Sequence, residues 1–176
     1  MKIVTWNVNS VRARIDNIKK YLKSSSPDIA LLQEIKTEED TYPFDEINKL
    51  GYLSYVNGQK SYNGVAICSR HELTDGQRLD WAGKTDARHL SCTISRSVQL
   101  HNFYVPAGGD TPDLENNEKF RHKLRFLEEL TAWFFKNSLT SAILVGDLNI
   151  APLENDVWSH KQLFELRHRS GRPASN

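Results

Sequence analysis

The sequence predicts an α/β fold with a mixed sheet, and three observations carry this prediction. Residues 2–34 show the apolar patterns of a strand, a helix and a second strand in succession. Residues 90–94 and 98–105 are apolar segments on either side of a short turn, which is typical of an antiparallel pair. A long amphipathic segment then precedes the apolar run 141–147. Parallel and antiparallel pairings are therefore both expected.

The first half of the chain is expected to begin with a strand over residues 2–8, which are rich in β-branched and aromatic side chains. Ser10 is the expected N-cap of an amphipathic helix that runs to about Leu22, and residues 28–34 read as a buried strand. The remaining elements expected in this half are a short helix over 43–50, strands over 52–56 and 65–69, and a long loop over 70–88.

The second half contains the longest predicted helix. Its apolar positions repeat at steps of three and four residues, and they are Phe120, Leu124, Leu127, Leu130 and Phe134. Such a stripe is expected to cover one face of a sheet. The chain has no internal repeat or linker composition, so its 176 residues are most simply one domain.

Composition excludes some classes of protein. The net charge is only +1, so any nucleic-acid site must be a local patch. The apolar runs are too short for a membrane span, and the first residues lack the pattern of a secretory signal, so we expect a cytoplasmic protein. Cys68 and Cys92 lie in strand-like segments and are expected to be buried, reduced thiols.

Polar residues stand at or near the carboxyl ends of three predicted strands. They are Asn7, Glu34, Asp147 and Asn149. Ligands of α/β sheets bind at this edge. Carboxylate and amide oxygens suit Mg²⁺, which completes its shell with water and phosphate oxygens. The pattern therefore predicts one metal-assisted phosphate site.

Turn formation is the alternative for each of these residues, since a single Asp or Asn after a strand is more often a turn former than a ligand. That alternative is favoured for Asn7 and Asn149 taken singly. Glu34 and Asp147 point more strongly to function, because each follows a buried strand where an unpaired carboxylate is costly. The scattered histidines, His71, His89, His101 and His122, are expected to be structural or solvent-facing.

Five segments have a more specific likeness. They are TWNVNSVRAR at 5–14, LQEIK at 32–36, GVAI at 64–67, NFYVPAG at 102–108 and GDLNIAP at 146–152. In order and spacing they resemble the bacterial exodeoxyribonuclease III family of the endonuclease/exonuclease/phosphatase superfamily. The resemblance runs from Met1 to about residue 163.

The resemblance implies a four-layer α/β sandwich of two mixed sheets flanked by helices. It also implies a nuclease of base-excision repair, dependent on Mg²⁺ or Mn²⁺ and monomeric when complete. Such an enzyme incises double-stranded DNA 5′ to abasic sites and acts on 3′-blocked ends as a 3′-to-5′ exonuclease and 3′-phosphatase.

The resemblance also implies roles for single residues. Glu34 is the main metal carboxylate, with Asn7 beside it. Asp147 orients or deprotonates the attacking water, Asn149 holds the phosphate or the metal, and the hydroxyl of Tyr104 approaches the scissile phosphate. The residues alone would favour Tyr104 as a core aromatic. Lys36 and Arg88 could bind DNA phosphates, but each is more simply interpreted as a charged side chain that is solvated at the surface.

The sequence departs from the family after residue 163. Family members continue into strands with a later Asp and an Asp-His pair, which are absent here, so the second half of the fold and the active site are expected to be incomplete. Residues 1–163 are the expected partial domain, and 164–176 an atypical, basic, disordered tail; His160 and His168 are not assigned to the site. Such a chain is expected to be less stable and to associate. Two alternatives stay open: a phosphatase or phosphodiesterase of small phosphate esters or lipids, and a catalytically impaired fragment.

Overall fold

The computed structural model describes residues 1–94, 97–157 and 159. In this part of the chain the strands of one sheet are β1 (Ile3–Asn7), β2 (Ile29–Gln33), β3 (Leu53–Asn57) and β4 (Val65–Ser69). Those of the other are β5 (Thr74–Gln77), β6 (His89–Ile94), β7 (Val98–Tyr104) and β8 (Ala142–Asp147). The helices are α1 (Ile15–Ser25), α2 (Phe44–Asn48) and α3 (Glu118–Asn137), with 3₁₀ turns at Glu39–Thr41 and Glu154–Asp156.

Both sheets are mixed. The first has the order β1-β2-β4-β3 and the second the order β5-β6-β7-β8. One pair in each sheet is parallel, β1 with β2 and β7 with β8, and the other neighbours are antiparallel. The carboxyl ends of the parallel strands therefore lie at one edge of each sheet.

Three apolar layers hold the elements together. One lies between α1, α2 and the first sheet and includes Ile18, Ile47 and Leu32. A second fills the space between the sheets, and the third joins the second sheet to α3 through side chains such as Phe103 and Phe126. Alternate residues of one strand face opposite layers, as the period of two requires. The prediction of a four-layer sandwich is confirmed.

Two local predictions were wrong. Ser10 does not cap α1, because residues 11–14 form turns and the helix begins at Ile15 after Arg14. Residues 74–77 form β5 rather than part of a loop, since their backbone pairs with β6 although every one of these side chains is exposed. The domain boundary at residue 163, the tail 164–176, His160 and His168 lie outside the described residues.

Both cysteines lie inside the fold. Cys68 and Cys92 are free and buried, as expected. No helix in the described ranges is long and apolar enough to cross a bilayer.

An apolar surface is exposed near the edge strand β8. Leu144 of that strand is 45% exposed, and Phe135 of α3 is 83% exposed. In the described part of the chain β8 pairs only with β7, at the end of its sheet. The lower stability and the association expected from the sequence stay predictions.

His89 and His101 form a buried, hydrogen-bonded pair under α3. The backbone N–H of Leu79 donates to Nδ1 of His89, so the proton of that ring sits on Nε2 and is donated to Nδ1 of His101 at 3.0 Å. Nε2 of His101 in turn carries the proton that reaches Gln99. Each ring is therefore fixed as a neutral tautomer.

This pair predicts that acid destabilises the fold. Burial lowers the pKa of His89 to about 3, with a further contribution from His101, and burial lowers the pKa of His101 to about 4. Between these values and the ordinary histidine pKa of about 6.5, the unfolded chain binds protons that the folded chain does not. Stability is thus complete above pH 6.5 and falls as the pH drops, by up to about 1.4 kcal/mol per pH unit for each proton.

Urea unfolding at pH 7.5 and pH 5 measures this effect. His101→Leu removes one of the two sites and is expected to flatten the pH dependence. His71→Gln is the control, because His71 is exposed. Equal flattening in both variants would contradict the assignment to the buried pair.

Candidate active site

Four strand ends bring polar side chains together at one end of the sandwich. Asn7 ends β1, Glu34 follows β2, Tyr104 ends β7 and Asp147 ends β8. The register pairs Asn7 with Gln33 in one sheet and Tyr104 with Asp147 in the other. Asn7 and Asp147, which are 140 positions apart in sequence, thus come into contact because the two sheets face each other.

Asn7 lies at the centre of this cluster. Its Nδ2 donates to Oε1 of Glu34 at 2.7 Å and to Oδ2 of Asp147 at 2.8 Å. Its Oδ1 accepts the backbone N–H of Asn9 at 3.1 Å, which fixes the orientation of the amide. Two carboxylates that share one donor nitrogen must lie close together. The structure therefore places the side chains of Glu34 and Asp147 around a single point.

Glu34 is held by three side chains. Tyr104 donates its hydroxyl to Oε1 at 2.8 Å, Asn7 shares the same oxygen, and Nζ of Lys36 lies 2.9 Å from Oε2. Partial burial raises the pKa of Glu34, but the hydrogen bonds from Asn7, Lys36 and Tyr104 outweigh this and leave it below its ordinary value. Glu34 is therefore a carboxylate at neutral pH.

The backbone at Glu34 is strained. Its φ of +52° lies in the left-handed region, which L residues rarely adopt. The carbonyl of Glu34 accepts the N–H of Ser10 at 2.7 Å, and the next N–H, of Ile35, reaches the carbonyl of Gly64 at 3.1 Å. These bonds hold the turn that presents the carboxylate. Such strain collects at functional sites, where the surrounding structure compensates for it.

Burial raises the pKa of Tyr104 to about 12, with the hydrogen bond to Glu34 and its charge adding to the shift. Its hydroxyl is therefore protonated and acts as a donor at neutral pH. The ring borders a cleft of about 510 Å³ that also reaches Arg88, Lys119 and Gly108.

Asp147 and Asn149 share one turn. The N–H of Asn149 donates to Oδ1 of Asp147 at 3.3 Å, and Nδ2 of Asn149 donates to the carbonyl of Val105 at 2.8 Å. The carbonyl of Asn149 accepts from Nζ of Lys123 at 2.6 Å. The structure thus brings Asn7, Glu34, Tyr104 and Asp147 into direct contact, and it joins Asn149 to them through the Asp147 turn.

Gly146 allows β8 to lie against β7 directly before Asp147. A Cβ at this position would stand 1.9 Å from the carbonyl oxygen of Phe103 and 2.8 Å from two other backbone atoms of that residue. The φ of Gly146, +146°, is also rarely adopted by L residues. A side chain here would push the two strands apart.

Gly146→Ala is therefore expected to destabilise the chain by about 3 kcal/mol or more, the upper range for overpacking, because backbone rather than a flexible side chain opposes the added methyl. Gly76→Ala is the matched control, since nothing lies within 4 Å of a Cβ at Gly76. Urea unfolding of both variants gives the comparison, and a near-neutral Gly146→Ala would contradict the tight approach.

A buried amide pair connects the two sheets below the site. Asn102 donates from Nδ2 to the carbonyls of Leu32 and Ala66, at 3.1 and 2.9 Å, and its Oδ1 accepts from Nε2 of Gln33 at 2.7 Å. Both amides are buried, so these bonds are not exchanged with water. Asn102 thereby fixes the strand that carries Tyr104 against the strand that precedes Glu34.

The sequence did not identify this bridging role, although a polar residue in an apolar strand was a signal for it. Nor are Lys36 and Arg88 simply solvated surface charges. Lys36 pairs with Glu34, and Arg88 is 13% exposed and pairs with Asp86.

The donor set fits a hard divalent ion. Glu34 and Asp147 offer carboxylate oxygens and Asn149 an amide oxygen, with no sulfur or imidazole among them, whereas Asn7 presents its Nδ2 to the two carboxylates and its Oδ1 to the N–H of Asn9. No group of three or more His, Cys, Asp or Glu side chains among the described residues could hold a metal. Mg²⁺ needs only one or two carboxylates, because water and substrate phosphate fill the rest of its shell. The chemistry of these residues suits Mg²⁺ or Mn²⁺ better than Zn²⁺.

Fold and site together define a class of protein: a two-sheet α/β sandwich that carries carboxylates at the ends of its strands. The chain belongs to the Endonuclease/Exonuclease/phosphatase family, whose model matches residues 4–173. This finding confirms the family resemblance seen in the sequence.

Several individual proteins are similar to the chain. An exodeoxyribonuclease III of Haemophilus influenzae is 27% identical over 164 residues, and an exodeoxyribonuclease of Bacillus subtilis is also 27% identical over 164 residues. These alignments cover 89% and 92% of this chain but 60% and 63% of the relatives. The chain thus spans less than two thirds of the length of these two relatives.

Solved structures of similar proteins share the fold. An AP endonuclease from Archaeoglobus fulgidus superposes with a TM-score of 0.83 at 34% identity, covering 96% of this chain and 67% of the other. A 3′ phosphatase from Neisseria, bound to a product DNA hairpin, gives a TM-score of 0.82 at 29% identity, covering 97% of this chain and 71% of that one.

Proposed function

We propose that this chain carries the catalytic centre of a metal-dependent DNA phosphodiesterase of base-excision repair. Its substrate is double-stranded DNA, which it incises 5′ to abasic sites, and it also acts on 3′-blocked ends as a 3′-to-5′ exonuclease and 3′-phosphatase. The observation that carries the proposal is the single amide of Asn7 shared by Glu34 and Asp147, with the hydroxyl of Tyr104 on the same Glu34 oxygen.

The proposed roles combine this geometry with those that the family resemblance implies. Glu34, with Asn7 beside it, would hold Mg²⁺ or Mn²⁺, and the bound ion would offset charge on the non-bridging oxygens of the phosphate. Asp147 orients water and accepts its proton, since each of its oxygens keeps a lone pair beyond the bonds from Asn7 and Asn149. The single O–H of Tyr104, which points to Glu34 here, would turn to the phosphate when substrate binds, and Asn149 would bind the phosphate or the ion.

The names of similar proteins support DNA as the substrate. The Neisseria structure contains a product DNA hairpin, and the relatives are exodeoxyribonucleases and an AP endonuclease. A cytoplasmic location, and a monomeric state for a complete protein, stay predictions.

A cleavage assay tests the proposal. The chain is incubated with a duplex that contains one abasic site, with the undamaged duplex, and with a soluble phosphate diester, in Mg²⁺ or in a chelator. We expect incision of the abasic duplex only with metal. Faster hydrolysis of the soluble ester would favour the small-ester alternative, and cleavage that survives the chelator would exclude the metal mechanism.

The alternative of a catalytically impaired fragment is tested in the same assay. The chain is compared with a version extended by the family's C-terminal strands, taken from the Haemophilus influenzae relative. Acid, base or electrostatic assistance from added groups is expected to raise the rate by about 10² to 10⁴. Equal activity without the extension would exclude the impaired-fragment alternative.

A further inference from the structure

Tyr104 has a second charged neighbour besides Glu34, the guanidinium of Arg88. Cζ of Arg88 lies 4.9 Å from the centroid of the Tyr104 ring, within the range of a cation–π contact. Nη1 of Arg88 donates to the carbonyl of Tyr104 at 3.2 Å, and the N–H of Tyr104 donates to the carbonyl of Arg88 at 2.8 Å. Backbone and side chain of Arg88 therefore both bind the residue that carries the hydroxyl.

Arg88 is itself held in place. Its Nε donates to Oδ2 of Asp86 at 2.5 Å, and the two side chains are 13% and 14% exposed. His122 of α3 packs on the same carboxylate, with Nε2 3.5 Å from Oδ2 and only 9% of the side chain exposed. Since water has little access to the pair, it is screened less than a surface ion pair. The guanidinium therefore has a fixed orientation before any substrate binds.

We propose that Arg88 is a positioning residue that acts through Tyr104. Held by Asp86, it fixes the tyrosine ring so that the hydroxyl stays 2.8 Å from Glu34 and ready to meet a phosphate. This inference rests on the proposed role of Tyr104 in phosphodiester cleavage. It adds two residues, Arg88 and Asp86, that need not touch the substrate.

Direct binding of a DNA phosphate is the other role that Arg88 could have, because it borders the cleft beside Tyr104. The contacts favour positioning. Nε and Nη1 are already engaged by Asp86 and by the carbonyl of Tyr104, and the charge is offset by a carboxylate at hydrogen-bond distance. The two roles make different predictions, because phosphate contacts govern affinity and its dependence on salt.

A double-mutant cycle distinguishes these roles. Arg88→Gln, Tyr104→Phe and the double variant are assayed for incision of the abasic duplex, with kcat and KM measured separately. We expect Arg88→Gln to lower kcat about tenfold with KM little changed. In the Tyr104→Phe background the same change is expected to have no further effect, because the hydroxyl that it positions is gone. Arg88→Lys should give an intermediate kcat, since it keeps the positive charge but loses the planar guanidinium group that binds Asp86 and Tyr104 together.

Arg70→Gln is the matched control. Arg70 lies over the ring of Tyr52 at 4.8 Å, so the substitution removes a comparable contact away from the site and should leave kcat unchanged. Losses from Arg88→Gln and Tyr104→Phe that multiply in the double variant would overturn the proposal. A loss confined to KM, with a smaller salt dependence, would also overturn it in favour of phosphate binding.

If the chain does not cut the abasic duplex at all, the proposed function is refuted. The contact between Arg88 and Tyr104 then needs a test that does not depend on activity. Wild type, Arg88→Gln, Tyr104→Leu and their double variant are then compared by urea unfolding, because Phe would keep the ring that Arg88 contacts. A midpoint shift caused by Arg88→Gln that becomes smaller in the Tyr104→Leu background would support the coupling, and an unchanged shift would overturn it.

Discussion

Asp147→Asn is expected to lower the turnover of abasic-site incision by about 10² to 10⁴, the range that a general base contributes. The substituted side chain has nearly the same size and still offers an oxygen to Nδ2 of Asn7, so the cluster should keep its shape. An amide, however, cannot accept the proton of the attacking water. The loss should therefore appear in kcat, with KM little changed.

Asp75→Asn is the matched control for this substitution. It makes the same change of charge on the exposed strand β5, away from the site, and should leave turnover at the wild-type level. Urea unfolding checks that both variants are folded. Wild-type turnover in Asp147→Asn would exclude Asp147 as the base, and a loss confined to KM would assign it to substrate binding.

The order of elements was largely predictable, because the apolar periods are clear in the sequence. Periods of two and of 3.6 residues located seven strands and three helices to within a few residues, as with the residue 28–34 segment that became Ile29–Gln33. The division into two facing sheets followed only from the family resemblance. An apolar strand such as Val65–Ser69 is buried on both faces and does not reveal its neighbours. The polar strand Thr74–Gln77 has no apolar period at all, so only its pairing with β6 defines it.

Only part of the candidate site was predictable, because local sequence patterns reveal single residues but not their partners in the fold. Glu34 and Asp147 stand out locally, since each follows an apolar strand. Asn102 and Arg88 do not, because their roles depend on partners brought together by the fold. Asn102 bonds a carbonyl 70 positions away, and Arg88 reaches across 16 positions to Tyr104. The sequence could therefore suggest the carboxylates but not the contacts that orient them.

Glu34→Gln is expected to weaken binding of Mn²⁺ by about 100-fold or more and to abolish metal-dependent incision. Loss of a partner that only orients a ligand already reduces metal affinity 10- to 100-fold, so removal of the main carboxylate should cost at least as much. The amide oxygen can still accept from Asn7 and Tyr104, which preserves the local hydrogen bonds. Titration followed by the Mn²⁺ resonance signal measures affinity without DNA, so the result does not depend on activity.

Two controls make this metal assignment specific. Glu72→Gln changes an exposed carboxylate elsewhere and should leave Mn²⁺ affinity unchanged. Lys36→Met keeps the Glu34 carboxylate and removes the ammonium that lies 2.9 Å from its Oε2. Because that ammonium competes with a metal ion for the same oxygen, its loss should tighten Mn²⁺ binding while Glu34→Gln weakens it. Equal weakening by the two variants would mean that disruption of the turn around Glu34, and not loss of a ligand, explains the effect.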